Sequence, residues 1–554
     1  MMRSLIARVA PIVLLVPLAG AATLVAQQPG APVTFQEILE GLKEDGSKWL
    51  TFGGNYQNHR FSPLTQITPE NVSKLQPMWT FQTSTVGNFE TTSLLRDNIL
   101  YVTGPLNVAW AVDARTGRQI WRYRRELPIT GLTACCGLVN RGFAMLGDKL
   151  FMTTLDAHLL ALDAKTGSIV WDASMAKYQD GYAATIAPII TKDKVIVGIA
   201  GGEYGVRGFI DAYDANTGKL AWRFYTIPGP GEPGNDSWSG DSWKTGGAAI
   251  WTTGAYDPEL NLIYYGTGNP GPDYHSASRE GDNLYSDSIV AVDADNGRLR
   301  WAFQFTPHDV HDYDSTQVPI LADLTINGQL RKVVMFANRN GFFYTMDRVT
   351  GKLITAKTYV NTTWAKELDA QGRPILLPNQ TPDEKGELTC PDAIGATNFW
   401  QPSYDPRQQL FFVTAREACA VFYGYETPYA PGQRFTGGAQ QLVNRRDMKP
   451  FSAIRAIDPK TVEKKWEFLM PTPSRGGILT TASNLLFSGD NEGNVFALDS
   501  RNGKLLWRYQ LGANLYGTSP TTFMLDGRQV LLVPSGTTLT AWALPDVPRS
   551  TAQQ

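Results

Sequence analysis

Two adjacent cysteines, Cys135 and Cys136, lie in the stretch LTACCGLVNRG and make up half of the four cysteines in the chain. Successive Cα atoms lie about 3.8 Å apart, whereas an ordinary disulfide prefers a separation of roughly 4.4–6.8 Å. A bond between neighbouring cysteines is therefore strained, and strained geometry persists mainly at functional sites. Two interpretations stay open here: a functional ring of two bonded cysteines, or two buried free thiols.

A second group of polar residues follows or interrupts short apolar strands in different parts of the chain. Carboxylate and amide oxygens are the ligands of a hard cation, although Asp and Asn are also ordinary turn residues. The glycines Gly201 and Gly202 indicate a strand end where the backbone approaches another group closely. The oxygen-rich residues and one arginine are Glu203 in GIAGGEYGVRG, Asn269 in YYGTGNPGP, Asp309, Asp312 and Asp314 in TPHDVHDYDS, and Arg339 in FANRNGFFY.

An internal repeat provides the elements that must position these residues. Each copy contains a short apolar strand that ends at Asp, a turn of the type D-x-x-T-G, and a second strand that ends at Trp. Asp and Thr bond the local backbone in such turns, and Gly adopts positive φ. With the apolar strands between copies, each repeat has about four strands, as in a propeller blade. The copies lie at 111–121, 161–171, 212–222, 291–301 and 497–507, with degenerate versions at 345–355 (no Trp) and 456–466 (no Gly).

An eighth repeat, at 527–544, lacks its final strand. The stretch QPMWTFQT at 76–83 is expected to supply that strand and close the ring, which removes exposed strand edges. The sequence therefore predicts an all-β fold: one eight-bladed β-propeller domain at 27–554 with tryptophan-docking repeats. Long insertions at 229–247, 361–395 and 424–450 are candidates for functional loops, and the polar strand ends above are expected to converge on the axis.

Charge and hydropathy exclude some classes of partner. The formal net charge is −2, which argues against a nucleic-acid surface. No run of 18 apolar residues predicts a membrane span after the N-terminus. The first 26 residues have the layout of a signal peptide, with Arg3 and Arg8 before an apolar run and with Ala21 and Ala26 as candidate cleavage points. An N-terminal anchor is the alternative. Export would place the domain in the periplasm, where disulfides form.

The sequence resembles the quinoprotein alcohol dehydrogenases of the methanol/ethanol dehydrogenase family. The resemblance covers nearly the whole mature chain and rests on motifs that occur in order: CCGLVNRG, GGEYGVRG, YDPELNLIYYGTGNP, GDNLYSDSIVAVDADNG and NRNGFFYTMDR. It implies an eight-bladed propeller that carries pyrroloquinoline quinone (PQQ) and one metal ion, Ca²⁺ or a lanthanide(III), on its axis. The chain has no CxxCH motif for haem attachment, so a separate c-type cytochrome is the expected electron acceptor.

The resemblance assigns roles to individual residues. Cys135 and Cys136 match a disulfide ring that covers one face of PQQ, and Trp251 matches the indole on the other face. Cys390 and Cys419 match a second disulfide. The further residues assigned to cofactor binding are the polar residues Glu90, Arg141, Thr185, Arg339 and Asn398 and the glycines Gly201 and Gly202. Those that match metal-binding positions are Glu203, Asn269 and Asp312.

Four positions depart from the pattern of the family. Ala200 and Ala249 stand where relatives often have Ser and Thr that touch PQQ. His311 and Arg475 stand where many relatives have Trp. These changes surround the substrate and cofactor pocket, so they leave the substrate open more than the type of reaction.

The resemblance implies alcohol oxidation, with Asp312 as the general base and Arg339 as a group that stabilises developing charge. Asp314 would add a third carboxylate to Glu203 and Asp312, which favours a lanthanide over Ca²⁺; a turn-capping role for Asp314 is the alternative. A quinoprotein that acts on a sugar, polyol or polymeric alcohol stays open, as does a non-catalytic scaffold propeller. The predicted partners are a small alcohol and a cytochrome. Formation of a homodimer stays open.

Overall fold

Eight four-stranded units form a closed ring in the structure, a computed structural model that describes residues 30–43, 45–128, 130, 132 and 134–545. The predicted signal peptide, residues 1–26, lies outside the described residues. The one described α-helix is Phe35–Leu39, with the Thr34 hydroxyl as its N-cap. No helix in the described part of the chain has the length and apolar composition needed to cross a bilayer.

Blades 1 to 4 are antiparallel sheets whose strands follow one another in chain order from the axis outwards. Each innermost strand is mostly buried, and the outermost strand is mostly exposed or partly exposed. The strands are Leu94–Arg96, Ile99–Thr103, Val108–Asp113 and Gln119–Arg124 in blade 1; Ala144–Leu146, Lys149–Thr153, His158–Asp163 and Ile169–Ser174 in blade 2; Ile189–Thr191, Lys194–Gly198, Phe209–Asp214 and Leu220–Tyr225 in blade 3; and Ala255–Asp257, Leu262–Gly266, Ser288–Asp293 and Leu299–Gln304 in blade 4.

Blades 5 to 8 repeat this arrangement. The outermost strand of blade 8 comes from the N-terminal part of the chain, which confirms the predicted ring closure. The strands are Ile320–Ile326, Gln329–Ala337, Phe342–Asp347 and Leu353–Thr358 in blade 5; Ser403–Asp405, Leu410–Glu417, Phe451–Asp458 and Glu463–Met470 in blade 6; Leu479–Thr481, Leu485–Gly489, Asn494–Asp499 and Leu505–Gln510 in blade 7, with Phe61–Ser62 paired in parallel to its inner edge; and Thr521–Leu525, Arg528–Ser535, Thr538–Ala543 and Gln76–Gln82 in blade 8.

Insertions before and within blade 6 form two small sheets beside the ring. The two predicted loops at 361–395 and 424–450 contribute to them. Short 3₁₀ turns occupy other connections: Val72–Lys74, Pro105–Asn107, Tyr178–Asp180, Gly202–Tyr204, Asn235–Ser237 and Ser242–Thr245. The small sheets are Ala365–Leu368 with Pro374–Leu376, and Glu387–Thr389 with Ala420–Gly424 and Gly438–Leu442.

The repeat turn has the predicted internal bonding. In blade 1, the Asp113 carboxylate accepts hydrogen bonds from the backbone N–H groups of Arg115 and Thr116 and from the Thr116 hydroxyl. Gly117 has φ 69°, and a Cβ there would lie 2.6 Å from the ring of Trp79. The turn therefore requires glycine both for its backbone conformation and for the indole that packs on it.

The repeat tryptophans of blades 1 to 4 and of blade 6 dock on the turn of the next blade. The indole N–H of each donates to the carbonyl oxygen of the residue that follows the turn aspartate, as in Trp121 to Ala164 at 2.9 Å. The same bond joins Trp79 of blade 8 to Ala114 of blade 1, so the chain of docking contacts crosses the ring closure. In blade 5, which lacks the tryptophan, the Thr345 hydroxyl donates to the equivalent carbonyl of Pro459 at 2.5 Å.

The axis of the ring is filled by residues 49–62, which we call the plug segment. Its backbone bonds to the inner edges of the innermost strands of blades 1, 4, 5, 6 and 7, and the Tyr56 hydroxyl donates to Ile190 in blade 3. Arg60 is buried and donates to the carbonyls of Phe52, Ile478 and Pro520. The plug segment therefore joins blades that are far apart in sequence.

Candidate functional site

A cavity of about 670 Å³ lies on the axis, where the segments that precede the innermost strands meet. Every blade contributes at least one lining side chain from this position, three to eight residues before its first strand. In the order of the blades, these lining residues are Glu90, Arg141, Thr185, Trp251, Asp312 with Asp314, Asn398, Arg475 and Tyr516. Equivalent positions in the eight repeats therefore line a single cavity.

A second set of side chains follows the second strands of three successive blades. Glu203 comes after Lys194–Gly198, Asn269 after Leu262–Gly266, and Arg339 after Gln329–Ala337. Glu203 and Arg339 line the cavity, and Asn269 is buried beside it. The fold therefore brings Glu203, Asn269 and Arg339 to the same end of the axis, where Asp312 and Asp314 also lie, whereas Asp309 of the predicted oxygen-rich group lies outside this cavity.

Hydrogen bonds to Asp309 fix the backbone of the loop that carries Asp312. The Asp309 carboxylate accepts hydrogen bonds from the backbone N–H groups of His311 (3.1 Å) and Tyr313 (2.8 Å). Asp312 has φ 59°, in the left-handed region that non-glycine residues rarely adopt. His311 stacks on Tyr313, with ring centroids 5.2 Å apart. Asp309 shapes this loop and lines a separate cavity, away from the oxygen-rich group.

Arg339 holds the two aspartates of the loop. Its Nη2 lies 3.1 Å from Oδ2 of Asp312, and its Nη1 donates to Oδ2 of Asp314 at 2.6 Å. The Tyr274 hydroxyl donates to the same Asp312 oxygen at 3.3 Å. Burial raises the pKa of Asp312 well above its ordinary value, against the opposing effect of Arg339. The Asp312 carboxylate therefore lies between two hydrogen-bond donors, Arg339 and Tyr274, and its burial favours uptake of a proton.

Asn269 contacts one other candidate metal ligand, Asp314, and the neighbouring carboxylate of Asp273. Its backbone N–H donates to Oδ1 of Asp314, and its side-chain Nδ2 donates to Oδ1 of Asp273, each at 3.0 Å. The amide oxygen is thereby left available as a ligand. Burial, together with neighbouring carboxylates, raises the pKa of Glu203 and of Asp273. A cation bound among these oxygens would relieve the repulsion, so the donor set fits a hard metal ion.

The opposite part of the cavity carries a buried ion pair and aromatic rings. Glu90 Oε2 and Arg141 Nη2 are 2.7 Å apart, and Arg141 also donates to the Thr185 hydroxyl at 2.6 Å. The Arg141 guanidinium lies 4.9 Å from the centroid of Trp251. Within the described part of the chain, Arg141 Nε and Asn398 Oδ1 are buried without a hydrogen-bond partner. Such atoms fit a planar, polar cofactor that accepts and donates hydrogen bonds.

Both predicted disulfides are present in the structure. Cys135 is bonded to Cys136 at the edge of the cavity, and Sγ of Cys136 lies 3.9 Å from Oε1 of Glu203. Cys390 is bonded to Cys419, which ties the insertion before blade 6 to the one within it. No free cysteine occurs among the described residues. The role of the first disulfide as a cover for PQQ stays a prediction.

The two glycines before Glu203 have different explanations. Gly201 has φ 118°, and a Cβ there would lie 2.2 Å from the carbonyl oxygen of Gly181. The sequence predicted that the backbone approaches another group closely here, and at Gly201 that group is the backbone of Gly181. A Cβ on Gly202 would lie 4.0 Å from Oδ1 of Asn269, in ordinary contact. Gly201 lines the cavity, and Gly202 does not.

Sequence reasoning did not assign three residues of this site. Asp273 and Tyr274 follow Asn269 closely and contact Asn269 and Asp312, respectively. Their signal was weak because the segment resembles an ordinary proline-containing turn. Tyr516 occupies the position before the innermost strand of blade 8, so an alignment of the repeats could have identified it.

Comparisons with known proteins agree with this arrangement. The family model described as "PQQ: Glucose/ethanol/alcohol dehydrogenase, beta-propeller domain" matches residues 49–366 and 445–531. The quinohemoprotein alcohol dehydrogenase ADH IIB of Pseudomonas putida is 39% identical over 520 residues, which cover 90% of this chain and 75% of that protein. Subunit 1 of the methanol dehydrogenase (cytochrome c) of Paracoccus denitrificans is 34% identical over 543 residues, covering 91% of this chain and 86% of the relative.

A solved structure shows the same similarity in three dimensions. A europium-containing methanol dehydrogenase matches with a TM-score of 0.87 at 33% sequence identity, covering 92% of this chain and 100% of that chain. The chain therefore belongs to the PQQ-dependent alcohol dehydrogenase family. Three predictions are confirmed: the family, the propeller fold and the enzyme class, which is an oxidoreductase that uses PQQ and a metal ion. The scaffold alternative is not supported.

Proposed function

We propose that this chain oxidises an alcohol to an aldehyde or ketone at the axial cavity, with Asp312 as the general base. The observation that carries the proposal is the position of Asp312, which lines the cavity between Arg339, Tyr274 and the candidate metal ligands. When bound, PQQ would supply the acceptor for a hydride from the substrate carbon, and the metal ion would supply a Lewis acid.

The protein's own groups handle the proton and the charge. Asp312 accepts the hydroxyl proton, and burial, which raises its pKa, makes it a stronger base than an exposed aspartate. Arg339 is buried, so its positive charge acts in a low-dielectric site. Its guanidinium keeps Asp312 in place and stabilises negative charge that develops next to it.

Glu203, Asn269, Asp312 and Asp314 are proposed as the metal ligands. Asp314 supports a lanthanide because it adds a third carboxylate, and a trivalent ion has a high demand for anionic oxygen ligands. Asp273 accepts a hydrogen bond from Nδ2 of Asn269, which would leave Oδ1 of Asn269 available to the ion. The europium-containing relative is consistent with a trivalent ion at such a site.

The cofactor is proposed to contact residues from most blades. Glu90, Arg141, Thr185 and Asn398 supply polar contacts, Trp251 one face, and the Cys135–Cys136 disulfide the other. Gly201 brings the backbone to the edge of the same space, and Gly202 belongs to the proposed set only through its place beside Gly201 and Glu203. The two unpartnered buried atoms, Arg141 Nε and Asn398 Oδ1, support this assignment.

The electrons must then leave the site in single-electron steps. One alcohol oxidation delivers two electrons, so two molecules of a one-electron acceptor are needed for each turnover. A c-type cytochrome in the periplasm is the proposed acceptor, in keeping with the name of the Paracoccus relative. Export through the predicted signal peptide and a homodimer remain part of this proposal.

Reconstitution tests the proposed function. The purified chain is loaded with PQQ and either La³⁺ or Ca²⁺ and is then assayed with a dye acceptor against primary and secondary alcohols, aldehydes, sugars and polyols. Dehydrogenase activity on simple alcohols that requires both PQQ and metal is the expected result. Activity confined to sugars, polyols or polymers would show that these compounds, and not simple alcohols, are the substrate class. PQQ binding without any oxidation would contradict the proposal.

A further inference from the structure

Arg475 occupies the blade 7 position that corresponds to the proposed cofactor-binding residues of other blades. It lies four residues before the innermost strand Leu479–Thr481, as Glu90, Thr185 and Trp251 do in blades 1, 3 and 4. Its side chain lines the axial cavity. Nothing in the mechanism proposed above uses this guanidinium.

The charge of Arg475 is not matched by a carboxylate. Arg141 forms an ion pair with Glu90, and Arg339 forms ion pairs with Asp312 and Asp314. Arg475, in contrast, forms no ion pair within the described part of the chain, and its hydrogen-bond partner is the neutral hydroxyl of Tyr516. Burial lowers the pKa of Arg475, which reflects a cation that is partly removed from water. A negative ligand in the cavity would supply the missing partner.

The surrounding rings hold the guanidinium towards the cavity. Its central carbon lies 4.7 Å from the centroid of the Tyr516 ring. The Tyr516 ring is 6.2 Å from Phe399, which is 5.9 Å from Trp251. These three rings form a continuous aromatic wall that leads from Arg475 to the proposed stacking residue. A flat ligand on Trp251 would therefore extend towards Arg475 along this wall.

We propose that Arg475, positioned by Tyr516, binds a carboxylate of PQQ as an additional cofactor-binding residue. PQQ carries three carboxylates, and a guanidinium binds a carboxylate through two parallel charge-assisted hydrogen bonds. Glu90 neutralises Arg141, so Arg475 supplies the net positive charge in this part of the cavity. The proposal rests on the proposed PQQ site.

Cofactor binding by variants of the full-length protein tests the proposal. PQQ is titrated into the metal-loaded, PQQ-free protein, and the dissociation constant is measured from quenching of tryptophan fluorescence. Arg475→Gln is expected to weaken PQQ binding about 10- to 100-fold, and Arg475→Lys by less, because lysine keeps the charge but loses the planar fork. Tyr516→Phe is expected to weaken binding only a few-fold, because it removes the positioning hydroxyl alone.

A matched control separates a direct contact from a general charge effect. Arg434 also lines the cavity, but its side chain is exposed at the mouth, so Arg434→Gln removes the same charge without the proposed contact. We expect its PQQ affinity to stay within about twofold of wild type. Equal losses for Arg434→Gln and Arg475→Gln, or no loss for Arg475→Gln in a protein with a wild-type circular dichroism spectrum, would overturn the proposal. Failure of the wild-type protein to bind PQQ would instead overturn the proposed function.

Discussion

Asp312 combines an unfavourable backbone conformation with a buried carboxylate. Its φ of 59° is uncommon for a residue other than glycine, and the two hydrogen bonds to Asp309 hold the loop in this form. Local strain of this kind is kept where the surrounding structure fixes it and a function needs it. The conformation places Asp312 and Asp314 in the same cavity, while His311 and Tyr313 pack away from it against other rings.

Asp312→Asn is expected to lower kcat by about 10²- to 10⁴-fold while PQQ still binds. The amide preserves the shape of the side chain but cannot accept the hydroxyl proton. Turnover is measured with a dye acceptor, and PQQ binding by fluorescence quenching. A variant that retains near-native turnover would show that another group is the base.

Asp314 is expected to set the preference for a trivalent ion. In the wild-type protein, La³⁺ should support higher activity than Ca²⁺, and Asp314→Ala should lower the ratio of La³⁺ to Ca²⁺ activity at least tenfold. Terbium luminescence gives the affinity of the ion independently of turnover.

Asp314→Asn serves as the control for this prediction, because it removes the charge but retains a group that accepts hydrogen bonds from Arg339 and Asn269. If charge is decisive, the two variants should behave alike. Full activity of the wild type with Ca²⁺, no gain with La³⁺ and indifference to Asp314→Ala would together contradict the lanthanide assignment.

At the scale of the element, the repeat turn and its tryptophan are the unit that joins neighbouring blades. The turn is local, since aspartate, threonine and glycine within five residues determine its backbone. The indole that packs on it comes from the preceding blade. One short sequence pattern therefore specifies both a turn and a blade–blade contact.

Trp121→Phe is expected to destabilise the protein by about 1 kcal/mol, because it removes the hydrogen bond to Ala164 but retains an aromatic ring. Trp121→Ala should cost about 3–5 kcal/mol because it leaves a cavity on Gly167. Urea denaturation followed by circular dichroism measures both. A loss as large for phenylalanine as for alanine would show that the hydrogen bond, and not packing, dominates the contact.

The locality of the repeat explains what could be predicted from the sequence. The eight repeats, the closing strand Gln76–Gln82 and the strand-end positions of Glu203, Asn269 and Arg339 follow from patterns within about 50 residues. The plug segment has no such pattern. Its bonds go to strand edges 46 to 420 residues away, from Leu95 to Thr480, and only the closed ring brings those edges to one axis. The contact between Asn269 and Asp314, 45 residues apart in the chain, depends on the same convergence.

At the scale of the whole molecule, the plug segment holds the ring together from within. Arg60 is its most connected side chain, with hydrogen bonds to carbonyl groups that precede the innermost strands of blades 7 and 8. Within the described residues it pairs with no carboxylate, and burial lowers its pKa to about 9. Arg60 therefore stabilises the folded state through its hydrogen bonds to these carbonyl groups and not through an ion pair.

Arg60→Met should destabilise the protein by at least about 3 kcal/mol, because several buried carbonyls lose their donor at once. Arg501, which is 56% exposed and pairs with Asp499, provides the control. Arg501→Met is expected to change stability by less than about 1 kcal/mol. Thermal unfolding of both variants in parallel decides the matter, and equal melting temperatures would contradict a structural role of Arg60.

His59 makes the stability of the plug segment depend on pH. Its Nε2 lies 2.7 Å from the carbonyl oxygen of Leu321, and burial lowers its pKa from 6.5 to about 4. The unfolded chain therefore binds a proton at a higher pH than the folded one. Stability is retained above pH 6.5 and is lost progressively as the pH falls towards 4, by about 3 kcal/mol in total.

The expected result is a melting temperature that is lower at pH 5.0 than at pH 7.5, with a smaller difference in His59→Gln. Glutamine keeps a hydrogen-bonding group at this position but does not titrate. The same pH dependence in wild type and variant would assign the acid sensitivity to other groups.

The closure of blade 8 also determines the order in which the molecule can fold. Thr80 on the outer strand pairs with Thr540, 460 residues later in the chain. The entropy of closing so long a loop grows only with the logarithm of its length, but contacts this distant form slowly. The sheets of blades 1 to 6 lack such a distant strand, so they can form from neighbouring segments, whereas the strand Gln76–Gln82 has no sheet partner until blade 8 is formed. A strand from near the start of the chain is therefore expected to be among the last to pair.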